Sequence, residues 1–149
     1  MGQRIDYYEQ NKHAVDMLLA VGKHVSALDP KLKALVELRV SQINGCVYCV
    51  DLHAQQARHD GESQQRLDCL VAWEECPFFD ERERAALAWA ESLTHISTTH
   101  APDDVYDRLL QHFSEKEAVD LTLTVALMNT WNRISIAHRK MPAPRVKTG

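Results

Sequence analysis

A chain of 149 residues, 45% hydrophobic and 26% charged, is long enough to bury one core and too short for two ordinary domains. Its formal net charge of −4, from 17 basic and 21 acidic residues scattered along the chain, gives no electrostatic case for a nucleic-acid partner. No apolar run is free enough of charge to span a bilayer, and the N-terminal Met1-Gly2-Gln3-Arg4-Ile5-Asp6-Tyr7 has no apolar signal core, so the expected location is cytoplasmic.

Almost every segment repeats its apolar residues near a period of 3.6, and none sustains a period of two, so the predicted fold is all-α. A first helix is predicted over 7–27, with Ala14, Met17, Leu18, Val21, Val25 and Leu28 as its inward stripe. Asp29-Pro30 supplies a cap and a first-turn proline for a second helix that ends at Asn44-Gly45. A third helix starts at Cys46 and ends near His59. A fourth covers 63–73 and is broken by Pro77. Asp80 with Glu83 resembles a capping box for a fifth helix, and residues 97–100 read as a loop. A short helix follows Pro102, and Ser114 with Glu117 caps a last helix to about Arg139. The expected architecture is a single-domain bundle of about seven helices over 1–140, with 141–149 as a flexible C-terminal tail.

The most informative stretch is Cys46-Val47-Tyr48-Cys49-Val50-Asp51-Leu52-His53. In a helix, Cys46, Cys49 and His53 share one face. The helix N-terminus, the partner thiol and an imidazole one turn away each favour a thiolate over a thiol of ordinary pKa about 8.5. Attack by one sulfur, formation of a sulfenic acid and condensation with the second sulfur is a natural cycle for such a pair. Zinc is the competing reading, with Cys46, Cys49 and His53 as ligands and Cys69, Cys76 or another histidine as the fourth. A structural zinc site usually has two clear ligand pairs, and this chain has one. Spacing alone leaves both readings open.

Elsewhere, Cys69 reads as a small core residue and Cys76 as an exposed loop thiol. His95 and His100 flank the 97–100 loop and read as solvated. Asn132 and Arg133 inside an apolar helix are costly to bury unpaired, so they face solvent or make buried polar contacts within the fold or at a subunit interface, with the interface the favoured of the three. Tyr48 stands between the two cysteines, placed to shield the site or to touch substrate.

The run Ser41-Gln42-Ile43-Asn44-Gly45-Cys46-Val47-Tyr48-Cys49-Val50-Asp51-Leu52-His53 resembles the signature of the alkylhydroperoxidase D-like (AhpD-like) proteins of the carboxymuconolactone decarboxylase superfamily. Glu83-Arg84-Ala85-Ala86-Leu87-Ala88-Trp89-Ala90-Glu91 and Asn129-Thr130-Trp131-Asn132-Arg133 extend the resemblance over most of the chain. It implies an all-α fold assembled as a trimer or hexamer, and a thiol-dependent peroxidase activity. The residue matching Cys49 is then the nucleophile, Cys46 resolves it to a disulfide, and His53 relays protons. An assisting glutamate is expected twelve residues before the first cysteine, where this chain has Ala34; Glu37, one turn later, is the candidate replacement.

The expected function is therefore reduction of organic hydroperoxides by Cys49 and Cys46, with His53 and Glu37 in support. A dithiol reductant is the expected partner, and no cofactor, resident metal, nucleic acid or membrane is involved. A non-catalytic dithiol sensor or electron-transfer protein is the alternative, followed by a zinc-binding helical module.

Overall fold

The computed structural model describes residues 2–146, and within them the chain forms nine α-helices, one 3-10 turn and no strand. The first predicted helix is two. α1 (Tyr7–Gln10) ends at Asn11, whose extended backbone and side chain cap α2 (Lys12–Lys23) through the Ala14 N–H. This restart sets which face of α2 turns inward. Val15 is buried and Gly22 faces Leu127; of the predicted stripe, Val25 and Leu28 are buried beyond the end of α2, whereas Met17 and Val21 are exposed.

α3 (Pro30–Asn44) has Asp29 as N-cap and Pro30 in its first turn, as the sequence predicts. It is the central helix. Val36 and Val40 enter one apolar cluster, and Leu35 and Leu38 enter a second on the opposite side. A helix buried on both sides has no single apolar stripe, which is why its amphipathic pattern is weak.

Gly45 ends α3 in the left-handed region at φ +71°, where an L side chain is strained, and α4 (Val47–His59) begins two residues later. α5 (Gln64–Cys69) continues into the 3-10 turn at Leu70–Ala72. Asp80 and Glu83 form the predicted capping box of α6 (Glu81–Thr94), and Ser114 and Glu117 form that of α9 (Glu115–His138).

The predicted loop at 97–100 is mostly helical. α7 (Ile96–Thr99) is a single turn, closed by His100 and Ala101, both at positive φ, before α8 (Asp103–Leu110). The Thr99 hydroxyl donates to the Ser92 carbonyl at 2.6 Å, tying this turn back to α6. His95 and His100 are exposed, as expected.

Cys76 departs from expectation because it is 8% exposed and belongs to the second cluster with Trp73 and Phe79. Its amide donates to the Ala72 and Trp73 carbonyls, and its own carbonyl accepts from Arg84, so the turn folds the thiol inward. Cys69, expected in the core, is only half-buried at that cluster's edge, beside Cys76.

Asn132 is fully buried within the fold rather than placed at a subunit interface. It donates to Ser41 Oγ at 3.1 Å and accepts from Asn44 Nδ2 at 2.9 Å, joining α9 to the last turn of α3. Arg133 is exposed and donates to the Asn129 carbonyl.

Residues 141–146 carry no helix, and Arg145 pairs with Asp51 of α4. Residues 147–149, the end of the expected tail, lie outside the described residues, as does Met1. No described helix is long and apolar enough to cross a membrane.

Candidate active site

The site is built where α3 hands over to α4. Gly45 reverses the chain, and Cys46 becomes the N-cap of α4 by accepting the Cys49 amide at 3.3 Å through its sulfur. A cysteine sulfur thus does the work usually given to a Ser or Asp oxygen. Cys46 and Cys49 are joined by a disulfide, with Cα atoms 5.3 Å apart. Both are almost fully buried, at 1% and 2% exposure, in the first apolar cluster. One turn of α4 below Cys49, His53 lines the same cavity.

Glu37 of α3 meets His53 of α4. The carboxylate Oε2 lies 3.4 Å from Nδ1, but the alignment is not that of a hydrogen bond, and Nδ1 is buried without a partner among the described residues. Burial raises the Glu37 carboxyl to about 7, aided by Asp60 and opposed by Lys33. Burial likewise lowers the His53 imidazole to about 4, with Lys33 adding to the effect. Near pH 6 the two side chains therefore stand as a neutral carboxyl beside a neutral imidazole.

Ala34, at the position where the resemblance implies a glutamate, is buried in α3 and carries no proton. It lines a second opening of about 300 Å³ with Lys33, Glu37, His53, Gln56 and Asp60. Glu37 and His53 thus separate this opening from the cavity that holds Cys49.

That cavity has a volume of about 350 Å³. Its wall includes Tyr7 and Tyr8 of α1, Val15 and Leu19 of α2, Tyr48 and Leu52 of α4, and Met128 and Trp131 of α9. The N-terminal segment is held there by the end of α9. The Arg4 amide donates to the His138 carbonyl at 2.9 Å, its guanidinium donates to the Ala137 carbonyl, and the Tyr7 ring packs on His138. Cys46, Cys49, His53 and Glu37, all candidates from the sequence, are brought together by the fold, with Tyr48 beside them. Tyr7, Tyr8, Trp131 and Lys140 of the same wall carry no such signal in the sequence. These come from the two ends of the chain, and no spacing within either end signals that they meet.

Among the described residues no group of three or more His, Cys, Asp or Glu side chains is placed to hold a metal ion. Cys69 and Cys76, the proposed fourth ligands of a zinc site, belong to the other cluster.

The model of the carboxymuconolactone decarboxylase family matches residues 11–92, more than half of the chain. The chain belongs to that family. Within it the protein is AhpD-like, in sequence signature and in all-helical fold. The uncharacterized protein YdfG of Bacillus subtilis is 41% identical over 139 residues, covering 92% of this chain and 95% of its own. The crystal structure of ATU0492 from Agrobacterium tumefaciens, a protein of unknown function provisionally named as the antioxidant defence protein AhpD, superposes with a TM-score of 0.92. It is 39% identical and matches 96% of this chain and all of its own. An uncharacterized peroxidase-related protein from Silicibacter sp. TM1040 has a TM-score of 0.81 at 25% identity, over 91% of this chain and 73% of its own. With these relatives, the Cys46–Cys49 pair fits a redox role.

Proposed function

We propose that this AhpD-like protein is a thiol-dependent peroxidase that reduces organic hydroperoxides. The observation that carries the reading is the placement of Cys49, at the N-terminus of α4, against an apolar cavity it shares with His53. An external dithiol first reduces the Cys46–Cys49 disulfide, two electrons and two protons passing to the protein. His53 takes the Cys49 proton, and the helix N-terminus stabilises the thiolate. The thiolate attacks the distal hydroperoxide oxygen. An S–O bond forms, the O–O bond breaks, and the alkoxide leaves as an alcohol with the proton from His53. Cys46 then attacks the sulfenic sulfur, water departs, and the disulfide is restored. Glu37, protonated up to about pH 7, faces Nδ1 and can give a proton to the imidazole or take one from it.

Turnover of cumene hydroperoxide with a panel of dithiol donors tests the reading. Wild type is expected to turn over. Cys49→Ser should lose at least 1,000-fold, because no other thiol lines the cavity among the described residues. Cys46→Ser should stop after one equivalent of alcohol. Stoichiometric oxidation of two thiols without turnover by any donor would instead identify a dithiol sensor.

The same resemblance supports assembly of the chain with copies of itself as a trimer or hexamer. The exposed apolar residues of α2 and α9 are consistent with that proposal.

A further inference from the structure

Among the described residues that line the Cys49 cavity, Lys140 is the one lysine or arginine, and the peroxidase chemistry does not use it. It is placed by a backbone reversal rather than by a loose tail. Arg139 takes a left-handed conformation at the end of α9, its amide donates to the Ile136 carbonyl, and the Lys140 amide donates to the Ser135 carbonyl at 3.0 Å. The side chain then crosses the cavity wall. Its Nζ lies 4.3 Å from the centre of the Tyr48 ring, 5.3 Å from that of Tyr7, and 3.4 Å from the Tyr7 hydroxyl. Aromatic faces attract a cation, but they do not neutralise it.

Among the described residues no carboxylate pairs with this ammonium. Arg39, Arg66 and Arg82, by contrast, each have a carboxylate partner. Burial works against the Lys140 charge, and Tyr7 and Tyr48 outweigh it, so the group stays cationic. In the disulfide form the remaining ionisable groups facing the cavity are Glu37, His53 and the tyrosines Tyr7, Tyr8 and Tyr48, and Cys49 joins them only on reduction. None of them is a fixed anion near Lys140.

We propose that Lys140 anchors an anionic group on the substrate, so that the preferred hydroperoxides are compact, aromatic or branched acids carrying a carboxylate. The size of the cavity, about 350 Å³, lies at the small end of small-molecule sites. Tyr7, Tyr8, Tyr48 and Trp131 supply flat apolar walls for the body of such a molecule. The carboxylate is held by Lys140 and the Tyr7 hydroxyl while the hydroperoxide is presented to Cys49. This inference rests on the peroxidase reading for the chemistry but not for the binding, and the two are measured separately.

Calorimetric titration of the oxidised protein with 4-isopropylbenzoate and with the neutral 4-isopropylbenzamide tests the anchor without turnover. The carboxylate is expected to bind at least tenfold more tightly than the amide to wild type. That ratio should fall to about one in Lys140→Met and in Lys140→Gln, and persist in Lys140→Arg. Equal binding of the two compounds to wild type, no binding of either, or a ratio unchanged in both neutral variants would overturn the proposal. A purely structural Lys140 would weaken both ligands together and leave the ratio intact. In a second arm, the ratio of kcat/KM for 4-carboxycumene hydroperoxide to that for cumene hydroperoxide should fall about tenfold in Lys140→Met. Anion-selective binding that depends on Lys140, with no turnover of any hydroperoxide, would uphold the anchor and refute the peroxidase.

Discussion

Glu37 and His53 show how two buried groups can hide each other's titration. At pH 5.5 the unfolded chain keeps a proton on histidine, ordinary value 6.5, and none on glutamate, ordinary value 4.5. The folded chain keeps it on Glu37, raised to about 7, and not on His53, lowered to about 4. The number of bound protons is the same, so between about pH 4.5 and 6.5 the pair adds little slope to stability. Removing one partner uncovers the other. In Glu37→Gln the depressed His53 acts alone, and the stability it supports is present above pH 6.5 and lost as the pH falls toward 4. In His53→Gln the raised Glu37 acts alone, and its contribution is present below pH 4.5 and lost as the pH rises through 7. Each loss should reach up to about 3 kcal/mol relative to wild type. Urea titrations of the three proteins at pH 4.5, 5.5, 6.5 and 7.5 check the opposite slopes, and parallel pH profiles would refute them. The candidate replacement of the Ala34 position by Glu37 was legible as a one-turn shift on α3. The 3.4 Å approach to His53 was not, because it depends on how α3 and α4 pack.

At the scale of the element, the α3–α4 junction was the most legible part of the chain, since Asn44-Gly45 signals a stop and the cysteines follow it at once. Gly45→Ala forces a Cβ onto φ +71° with nothing nearby to clash, so the cost is conformational strain alone, about 1 kcal/mol. Asn132 shows the opposite case. Its polar side chain in an apolar stretch signalled a constraint, and the constraint lies inside the fold rather than between subunits. Asn132→Leu keeps the volume but leaves Ser41 Oγ and Asn44 Nδ2 without one partner each, behind the turn that presents Cys46. A loss of about 2–4 kcal/mol is expected by urea unfolding. A loss below 0.5 kcal/mol would mean that water or Asn129, which already accepts from Asn44 at 2.9 Å, makes good the deficit. The error over α2 has a related cause. Periodicity alone places either of two apolar faces inward, and the break at Asn11 decides between them.

At the scale of the whole molecule, the mislaid α2 stripe becomes informative. Met17 and Val21, four residues apart on α2, are 59% and 44% exposed, and Val119 and Leu123, four apart on α9, are 58% and 43% exposed. Single exposed apolar side chains need no explanation, but pairs repeated at one-turn spacing on two helices that pack together do. A second copy of the chain is the occupant that the trimer or hexamer proposal supplies. Light scattering coupled to size exclusion is therefore expected to give a mass of three or six times 17.0 kDa. The double variant Met17→Glu, Val21→Glu should move it toward the single-chain mass while keeping the helical circular-dichroism signal, because neither side chain contributes to the core. A wild-type chain that elutes at 17.0 kDa at micromolar concentration would refute the assembly. An oligomer untouched by the double variant would place the interface on another face. The cavity gives this prediction a functional edge. Leu19 of α2 lines the Cys49 cavity, so an assembly through α2 would stiffen one wall of the substrate site, and the variant should raise KM for hydroperoxide more than it lowers kcat.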